Sequence, residues 1–191
     1  MIYHFDATTG ALSPLEPAFA ALPAGSGPRH FVFDSASKYG YLMNELSDMV
    51  SVFAWDSAQG TLSNLQDIST ELPDYAGVNH TAEIAISHNG KFLYQSNRRL
   101  ANDDVRGPDT IGVFAIDPAK GTLTLVEHAQ TGGIMPRNFA IGPTGNYLLV
   151  ANEVSNNVVV FRMDESTGKL TKTGKEIMVD TPVCLQFVPV R

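Results

Sequence analysis

The chain of 191 residues is 43% hydrophobic, carries a formal net charge of −7 and contains a single cysteine. This length and apolar content support one sizeable core without a metal or an internal disulfide to hold it. The acidic charge argues against nucleic acid or an anionic membrane as a partner. The N-terminus lacks the basic and apolar regions of a secretory signal, so the sequence predicts a cytoplasmic protein.

One pattern of short strands and glycine turns occurs three times along the chain. The three units are residues 27–63, 80–124 and 135–171. A repeat of about 50 residues, made of short β-type runs, is typical of propeller blades. The sequence therefore predicts an all-β propeller built of four-stranded antiparallel blades.

Each unit contains four predicted strands in the same order. In the first unit they begin with HFVFD, YGYLMNEL and VSVFAWD, and the fourth follows the turn SAQGTL. The intervening turns carry the Gly and Asn residues that tight hairpins require. The fourth strand is more polar and its apolar residues alternate, which is typical of an outer edge strand.

The ends of the chain match parts of a blade. Residues 2–13 match the second half of a unit, and residues 181–189 match a first strand. We therefore expect one domain, residues 1–191, with blade remnants at 1–20 and 181–191 and full blades at about 27–70, 79–130 and 135–180. A closed propeller needs at least four blades. The chain is thus expected to be a shortened form of a longer protein, or to self-associate through its open blade edges.

Polar residues gather where first strands begin and second strands end. Antiparallel pairing places these positions at one rim, and the innermost strands line the central channel. Three blades should therefore point these side chains toward one mouth. The residues are Arg29, His30, His80, Glu83, Arg137 and Asn138 on first strands, and Asn44, Glu45, Asn97, Arg98, Arg99 and Asn152 on second strands.

Arginines are concentrated at this predicted mouth. Five of the seven lie there or in the adjoining loop, namely Arg29, Arg98, Arg99, Arg106 and Arg137, and none of the six lysines does. Arginine binds carboxylates and phosphates through paired hydrogen bonds, which predicts a small anionic substrate. The alternative is that Pro-Arg pairs brace neighbouring blades through backbone carbonyls. The insertion at residues 100–109 either covers the ligand or is an uninvolved surface loop.

His30 and Glu83 occupy nearly equivalent positions in adjacent units. Facing one channel, they would form an acid–base pair; the alternative is that they only fill a polar pore with hydrogen bonds. His80 could replace His30 in either case. The sequence has no zinc-type Cys/His spacing, phosphate-binding loop or nucleophile elbow. We therefore expect a water nucleophile, with no metal and no cofactor.

The motifs GPRHFVFD, AEIAIS, KFLYQSNR and MPRNFAIGPTGNYLLVANE resemble the lactonase family of seven-bladed propellers over nearly the whole chain. That family includes bacterial-type 6-phosphogluconolactonases and fungal carboxy-muconate cyclases. The resemblance implies that the chain is the C-terminal half of such a ring. It also implies that lactone handling falls to His30, Glu83, Arg98 and Arg137. Polar channel positions implied by the same motifs are Arg29, Asn44, Glu45, Asn97 and Asn152.

These observations assign catalysis to His30, Glu83 and Arg137. Substrate binding is assigned to Arg29, Arg98, Asn44, Glu45, His80, Asn97, Asn138 and Asn152.

Three functions remain open at this point. The first is hydrolysis of a sugar lactone, 6-phosphogluconolactone being the usual substrate of the resembled family in the pentose phosphate pathway. Here Arg29 and Arg137 would hold the phosphate or polarise the carbonyl, while His30 with Glu83 activates water. The second is cycloisomerisation of a carboxylated muconate, with the same arginines on carboxylates. The third is an inactive propeller fragment that serves as a binding scaffold.

Overall fold

The computed structural model describes residues 1–73, 75, 77–100 and 108–189. Within these residues fourteen β-strands form one two-stranded and three four-stranded sheets. No described segment forms a helix of the length and apolarity needed to cross a membrane. The all-β prediction is confirmed, and the three larger sheets are the blades of a partial propeller.

The strands follow one another across each sheet in chain order, and every neighbouring pair is antiparallel. The N-terminal hairpin contains β1 (Tyr3–Asp6) and β2 (Ala11–Pro14). The first blade contains β3 (Pro28–Phe33), β4 (Tyr39–Asn44), β5 (Met49–Asp56) and β6 (Thr61–Ser69). The second contains β7 (Asn79–Ile86), β8 (Phe92–Arg99), β9 (Thr110–Ile116) and β10 (Leu123–Gln130). The third contains β11 (Pro136–Ile141), β12 (Tyr147–Asn152), β13 (Asn157–Met163) and β14 (Leu170–Met178).

A repeated Asp-x-x-x-Gly sequence builds the turn between the third and fourth strands. In the second blade, the Asp117 carboxylate accepts hydrogen bonds from the amides of Ala119 and Lys120 at 2.8 and 3.1 Å. Gly121 follows with φ of 71°, a left-handed conformation that glycine adopts without steric cost. The turn therefore reverses the chain with its backbone donors satisfied.

Apolar clusters join neighbouring blades. We call the contact between the first and second blades the first junction, and that between the second and third blades the second junction. Each buries aromatic and β-branched side chains in one continuous cluster. At the first junction the ring of Tyr39 lies against Gly121, where a Cβ would stand 2.4 Å from the ring. The Tyr39 hydroxyl donates to the carbonyl of Ala119 at 2.6 Å. Close packing of this kind fixes the angle between blades.

The two chain ends differ from each other. The predicted second half of a blade at residues 2–13 is confirmed as the β1–β2 hairpin. The first strand predicted at residues 181–189 stays a prediction, since no described strand pairs with this segment. The segment still reaches the third blade, where the Leu185 amide donates to Asn138 Oδ1 at 2.8 Å. Residues 101–107, which include Arg106 and most of the predicted covering loop, lie outside the described residues.

Candidate functional site

A β-bulge interrupts the first strand of every blade at the same place. Arg29 is the extra residue in β3 and Arg137 is the extra residue in β11. In β7, both Ala82 and Glu83 stand opposite Ser96 of β8. A bulge bends its strand and re-aims the side chain it carries. The three bulges therefore control how charged side chains are presented at the rim predicted from the sequence.

His30 and Glu83 meet across the first junction. His30 Nδ1 lies 2.8 Å from Glu83 Oε1, and the two side chains are 40% and 17% exposed. The Ile84 amide donates to the same carboxylate oxygen at 3.0 Å. An imidazole held by a carboxylate and still open to solvent can exchange a proton with a bound molecule.

Asn138 brings the third blade to the same carboxylate. Its Nδ2 donates to Glu83 Oε2 across the second junction. Its Oδ1 accepts from the Leu185 amide. Residues from three blades and from the following segment thus form one connected polar group, which we call the rim cluster: Arg29, His30, Glu45, Glu83, Arg98 and Asn138.

Arg29 is held by the second blade. Its Nη1 donates to the carbonyl of Ala82 and lies 3.3 Å from His30 Nε2. Its Nε lies 3.6 Å from Glu45 Oε2. Burial lowers the pKa of the Arg29 guanidinium, the nearby Arg98 charge lowers it further, and Glu45 opposes both. Arg29 therefore braces the first junction while it places a cation beside the imidazole.

Arg98 is committed to protein groups. Its Nη2 pairs with Glu45 Oε1 and donates to the carbonyl of Thr81 at 2.9 Å. Its Nε donates to the carbonyl of His80 at 3.3 Å, and its side chain is only 5% exposed. Glu45 thus bridges two arginines from different blades. The two carbonyl contacts of Arg98 stay within the second blade. The alternative raised by the sequence, a Pro-Arg pair that braces neighbouring blades through a backbone carbonyl, describes the contact of Arg29 with Ala82.

Arg137 is more exposed to solvent than Arg29 and Arg98. Its side chain is 41% exposed, against 20% for Arg29. Its Nη1 lies 3.7 Å from Glu153 Oε2, a distance that permits an ion pair but is too long for a good hydrogen bond. Its guanidinium can therefore turn to a ligand at smaller cost than that of Arg29 or Arg98.

The predicted asparagines at the ends of second strands are not brought into the rim cluster. Asn44 is buried and donates to Ser51 Oγ at 2.9 Å. Asn97 is buried and donates to the carbonyl of Thr70 at 2.8 Å. Asn152 is also buried, and its amide lies against Gly133. Their side chains pack inside the structure, so the substrate-binding role stays a prediction that the geometry does not support.

Arg98 and Arg99 are adjacent in β8 but lie in different surroundings. Successive residues of a strand point to opposite faces, so Arg99 points away from Arg98. It is fully buried, with its guanidinium 3.7 Å from the ring centre of Tyr75. Burial lowers its pKa. The predicted placement of Arg99 at the mouth is therefore wrong.

Two features of the site are not predicted by the sequence. The Leu185 amide is a backbone donor, which any residue except proline supplies. The second is the role of Glu45 as a bridge between Arg29 and Arg98, since an acidic residue at the rim looks equally suited to a ligand.

Two grooves, of about 610 and 590 Å³, lie on the faces of the third and first blades and include no rim-cluster residue.

A comparison with known proteins identifies the family of this chain. The model of the family described as lactonase, 7-bladed beta-propeller, matches residues 1–187. A protein of Formosa agariphila named 6-phosphogluconolactonase is 47% identical over 165 residues, which cover 85% of this chain and 44% of that protein. A Bacillus subtilis protein of the same name is 32% identical over 98% of this chain and 51% of its own length.

A solved structure agrees with these relatives. The periplasmic gluconolactonase of Pseudomonas aeruginosa superposes with a TM-score of 0.89 at 35% identity, over 99% of this chain and 50% of that one. The chain therefore spans about half the length of the curated relatives and of the solved structure that it matches.

Proposed function

We propose, on the premise that the chain belongs to the lactonase family of seven-bladed β-propellers, that it hydrolyses a sugar lactone and that 6-phosphogluconolactone is the substrate. The observation that carries the proposal is the 2.8 Å contact between His30 and Glu83 beside the cationic Arg29. The names of the relatives support the substrate class. The chain spans about half of those relatives, so its own activity is part of the proposal.

The first step is the addition of water to the lactone carbonyl. The neutral His30 imidazole takes a proton from water as the oxygen bonds to the carbonyl carbon. Glu83 stabilises the imidazolium that forms, because an adjacent carboxylate favours the charged ring. A positioned base of this kind contributes about 10²–10⁴ in rate.

Arg29 stabilises the charge that develops on the carbonyl oxygen. Its Nη1 lies 3.3 Å from His30 Nε2, so its positive charge faces the place where the base works. An oxyanion donor of this type is worth about 3 kcal/mol. The carbon–oxygen bond of the ring then breaks, and the leaving oxygen takes the proton from the imidazolium. One water is consumed and the product is an open-chain hydroxy acid.

Arg137 binds the phosphate of the substrate in this proposal. Its exposed guanidinium can form the paired hydrogen bonds that phosphate oxygens accept. The anionic ligand predicted from the arginines is then bound by one residue, while Arg29 serves the carbonyl.

The test is turnover of 6-phosphogluconolactone, followed with a dehydrogenase that consumes the product. The chain should exceed spontaneous hydrolysis, and His30→Gln should lose about 10²–10⁴ of the rate. His88→Gln is the matched control, because His88 lies in the β7–β8 turn at the opposite rim. Equal turnover in the wild type and His30→Gln would overturn the proposal.

Two other results of these assays would favour a different function. An ultraviolet change with carboxymuconate, without lactone hydrolysis, would replace the proposal by cycloisomerisation. Lactone turnover that neither His30→Ala nor Arg137→Ala alters would favour a binding scaffold.

We also propose a cytoplasmic location. Support comes from Cys184, a free and exposed thiol, because a reducing compartment preserves such thiols. Cell fractionation tests this directly, and recovery from the periplasm, where the Pseudomonas aeruginosa gluconolactonase is placed by its name, would contradict it.

A further inference from the structure

The donor and acceptor roles of the groups around Glu83 can be assigned one after another, starting from the backbone amide of Leu185. The Leu185 N–H can only donate, so the Asn138 atom 2.8 Å from it must be the carbonyl oxygen Oδ1. The other side-chain atom of Asn138 is then the NH₂ group, which faces Glu83 Oε2 as a donor. An asparagine orientation is settled by its partners in this way.

The carboxylate of Glu83 is then surrounded by donors. Asn138 donates to Oε2, and the Ile84 amide donates to Oε1 at 3.0 Å. An ionised carboxylate has only acceptors to offer. The remaining contact of Oε1, at 2.8 Å to His30 Nδ1, therefore requires a proton on Nδ1.

These contacts determine the tautomer of His30. A neutral imidazole carries one proton, so a protonated Nδ1 leaves Nε2 with a lone pair. Arg29 Nη1 lies 3.3 Å from Nε2 and can only donate, so this contact also requires the lone pair on Nε2. Nε2 is thus the atom that can remove a proton from water, and Glu83 orients the ring and does not itself act as the base.

We infer that Asn138, fixed by the Leu185 amide, is a positioning residue that holds the Glu83 carboxylate against His30 Nδ1, so that the proton stays on that nitrogen, in place of the substrate-binding role predicted from the sequence. This inference rests on the proposed function for its catalytic meaning, while the tautomer itself can be observed without substrate. It also makes the segment after β14 part of the site, through one backbone N–H.

The direct test is nitrogen-15 NMR of the imidazoles in the whole chain, at a pH where they are neutral. The His30 signal is assigned with His30→Gln. In the wild type, Nδ1 should carry the proton and Nε2 should not. Asn138→Ala removes the donor to Glu83 and adds no charge, so the carboxylate is free to turn away from Nδ1 and His30 should populate both tautomers.

The lactone assay gives a second readout. Asn138→Ala should lower kcat by about tenfold, part of what loss of the base would cost, with KM unchanged within about twofold. Asn138→Leu, which has nearly the size of asparagine, should act in the same direction, which guards against a folding defect peculiar to Ala. Asn146→Ala is the control, because Asn146 is exposed in the β11–β12 turn at the opposite rim.

The outcomes separate this inference from the proposed function. A proton on Nε2 in the wild type, or an unchanged His30 tautomer in both Asn138 variants, would overturn the inference even if lactone is hydrolysed. The expected tautomer shift in a chain without lactone turnover would support the positioning role and overturn the proposed function.

Discussion

The two junctions between blades have similar apolar cores and different polar contacts. At the first junction, charged side chains pair with charged side chains: Glu45 lies against both Arg29 and Arg98. At the second junction, a carboxylate accepts from a backbone amide, since Glu127 Oε1 lies 2.7 Å from the amide of Leu170. Other polar contacts cross both junctions, since Gln66 Oε1 accepts from the Leu123 amide at the first and Asn138 donates to Glu83 at the second. Each junction also buries one hydrophobic cluster.

The two arginines at equivalent bulges, Arg29 and Arg137, also differ in their surroundings. Arg29 is held by the second blade, which follows its own. No described blade packs against Arg137 on the corresponding side of the third blade, and its side chain is 41% exposed. A repeated sequence therefore gives a repeated backbone, and the neighbouring blade decides what the side chain does.

The largest expected effect comes from the two equivalent arginines. Arg137→Gln should raise KM for the phosphorylated lactone by roughly tenfold to a hundredfold, because it removes charged hydrogen bonds worth about 1.5–3 kcal/mol, and should leave stability nearly unchanged. Arg29→Gln should instead lower kcat and the free energy of unfolding. Steady-state kinetics and urea unfolding of both variants check this, and equal effects at both positions would remove the distinction between the two arginines.

A matched pair of glutamates tests the charge dependence of the junctions. Glu45→Gln leaves two arginines without their carboxylate and should lower the free energy of unfolding by about 2 kcal/mol. Glu127→Gln keeps an acceptor for the Leu170 amide and should change it by less than about 0.5 kcal/mol. Urea unfolding at low salt measures both, and a Glu127→Gln cost as large as that of Glu45→Gln would contradict the comparison.

A pH effect is expected from Asp48 at the first junction. It accepts from Asn79 Nδ2 at 2.8 Å. Burial, with the nearby charge of Glu71, raises the pKa of Asp48 from 3.8 to about 7. The folded state therefore holds this proton more tightly than the unfolded state, so the contribution of Asp48 to stability falls as the pH rises from about 4 to about 7.

Asp48→Asn isolates this effect. Asparagine keeps an acceptor, does not ionise and tolerates the positive φ of 54° at this position. At pH 8 the variant should be more stable than the wild type by about 1–2 kcal/mol, and the gap should close near pH 4. A gap of the same size at both pH values would show that ionisation is not its cause.

The smallest expected effect concerns the face of the first blade that neither junction covers. Phe31 is 37% exposed, whereas Ile84 and Phe139, at the same place in the next two blades, are each 3% exposed. We propose weak self-association through this face, since exposed apolar patches favour association. Sedimentation velocity should show concentration dependence that Phe31→Ser reduces and Phe19→Ser does not; a sharp monomer at all concentrations would contradict it.

Most of the strand order could be predicted because periodicity and turn residues act locally. The first-strand sequences around His30, Glu83 and Asn138 aligned well enough to predict one rim, and the structure brings these three side chains into contact. Residues 181–189, predicted as a first strand, pair with no described strand. An apolar β-type run indicates a strand, but the ladder also needs a partner that the run does not contain.

The sequence by itself determined the repeat, the four-stranded blades and the rim where charged side chains gather, because these depend on residue spacing along one chain. Tertiary structure alone decided that Arg98 braces while Arg99 is buried, that Arg137 stays exposed, and that the Leu185 amide orients Asn138. Those outcomes depend on which blade lies opposite and where its bulge turns a side chain, and neither is written in the local pattern of residues.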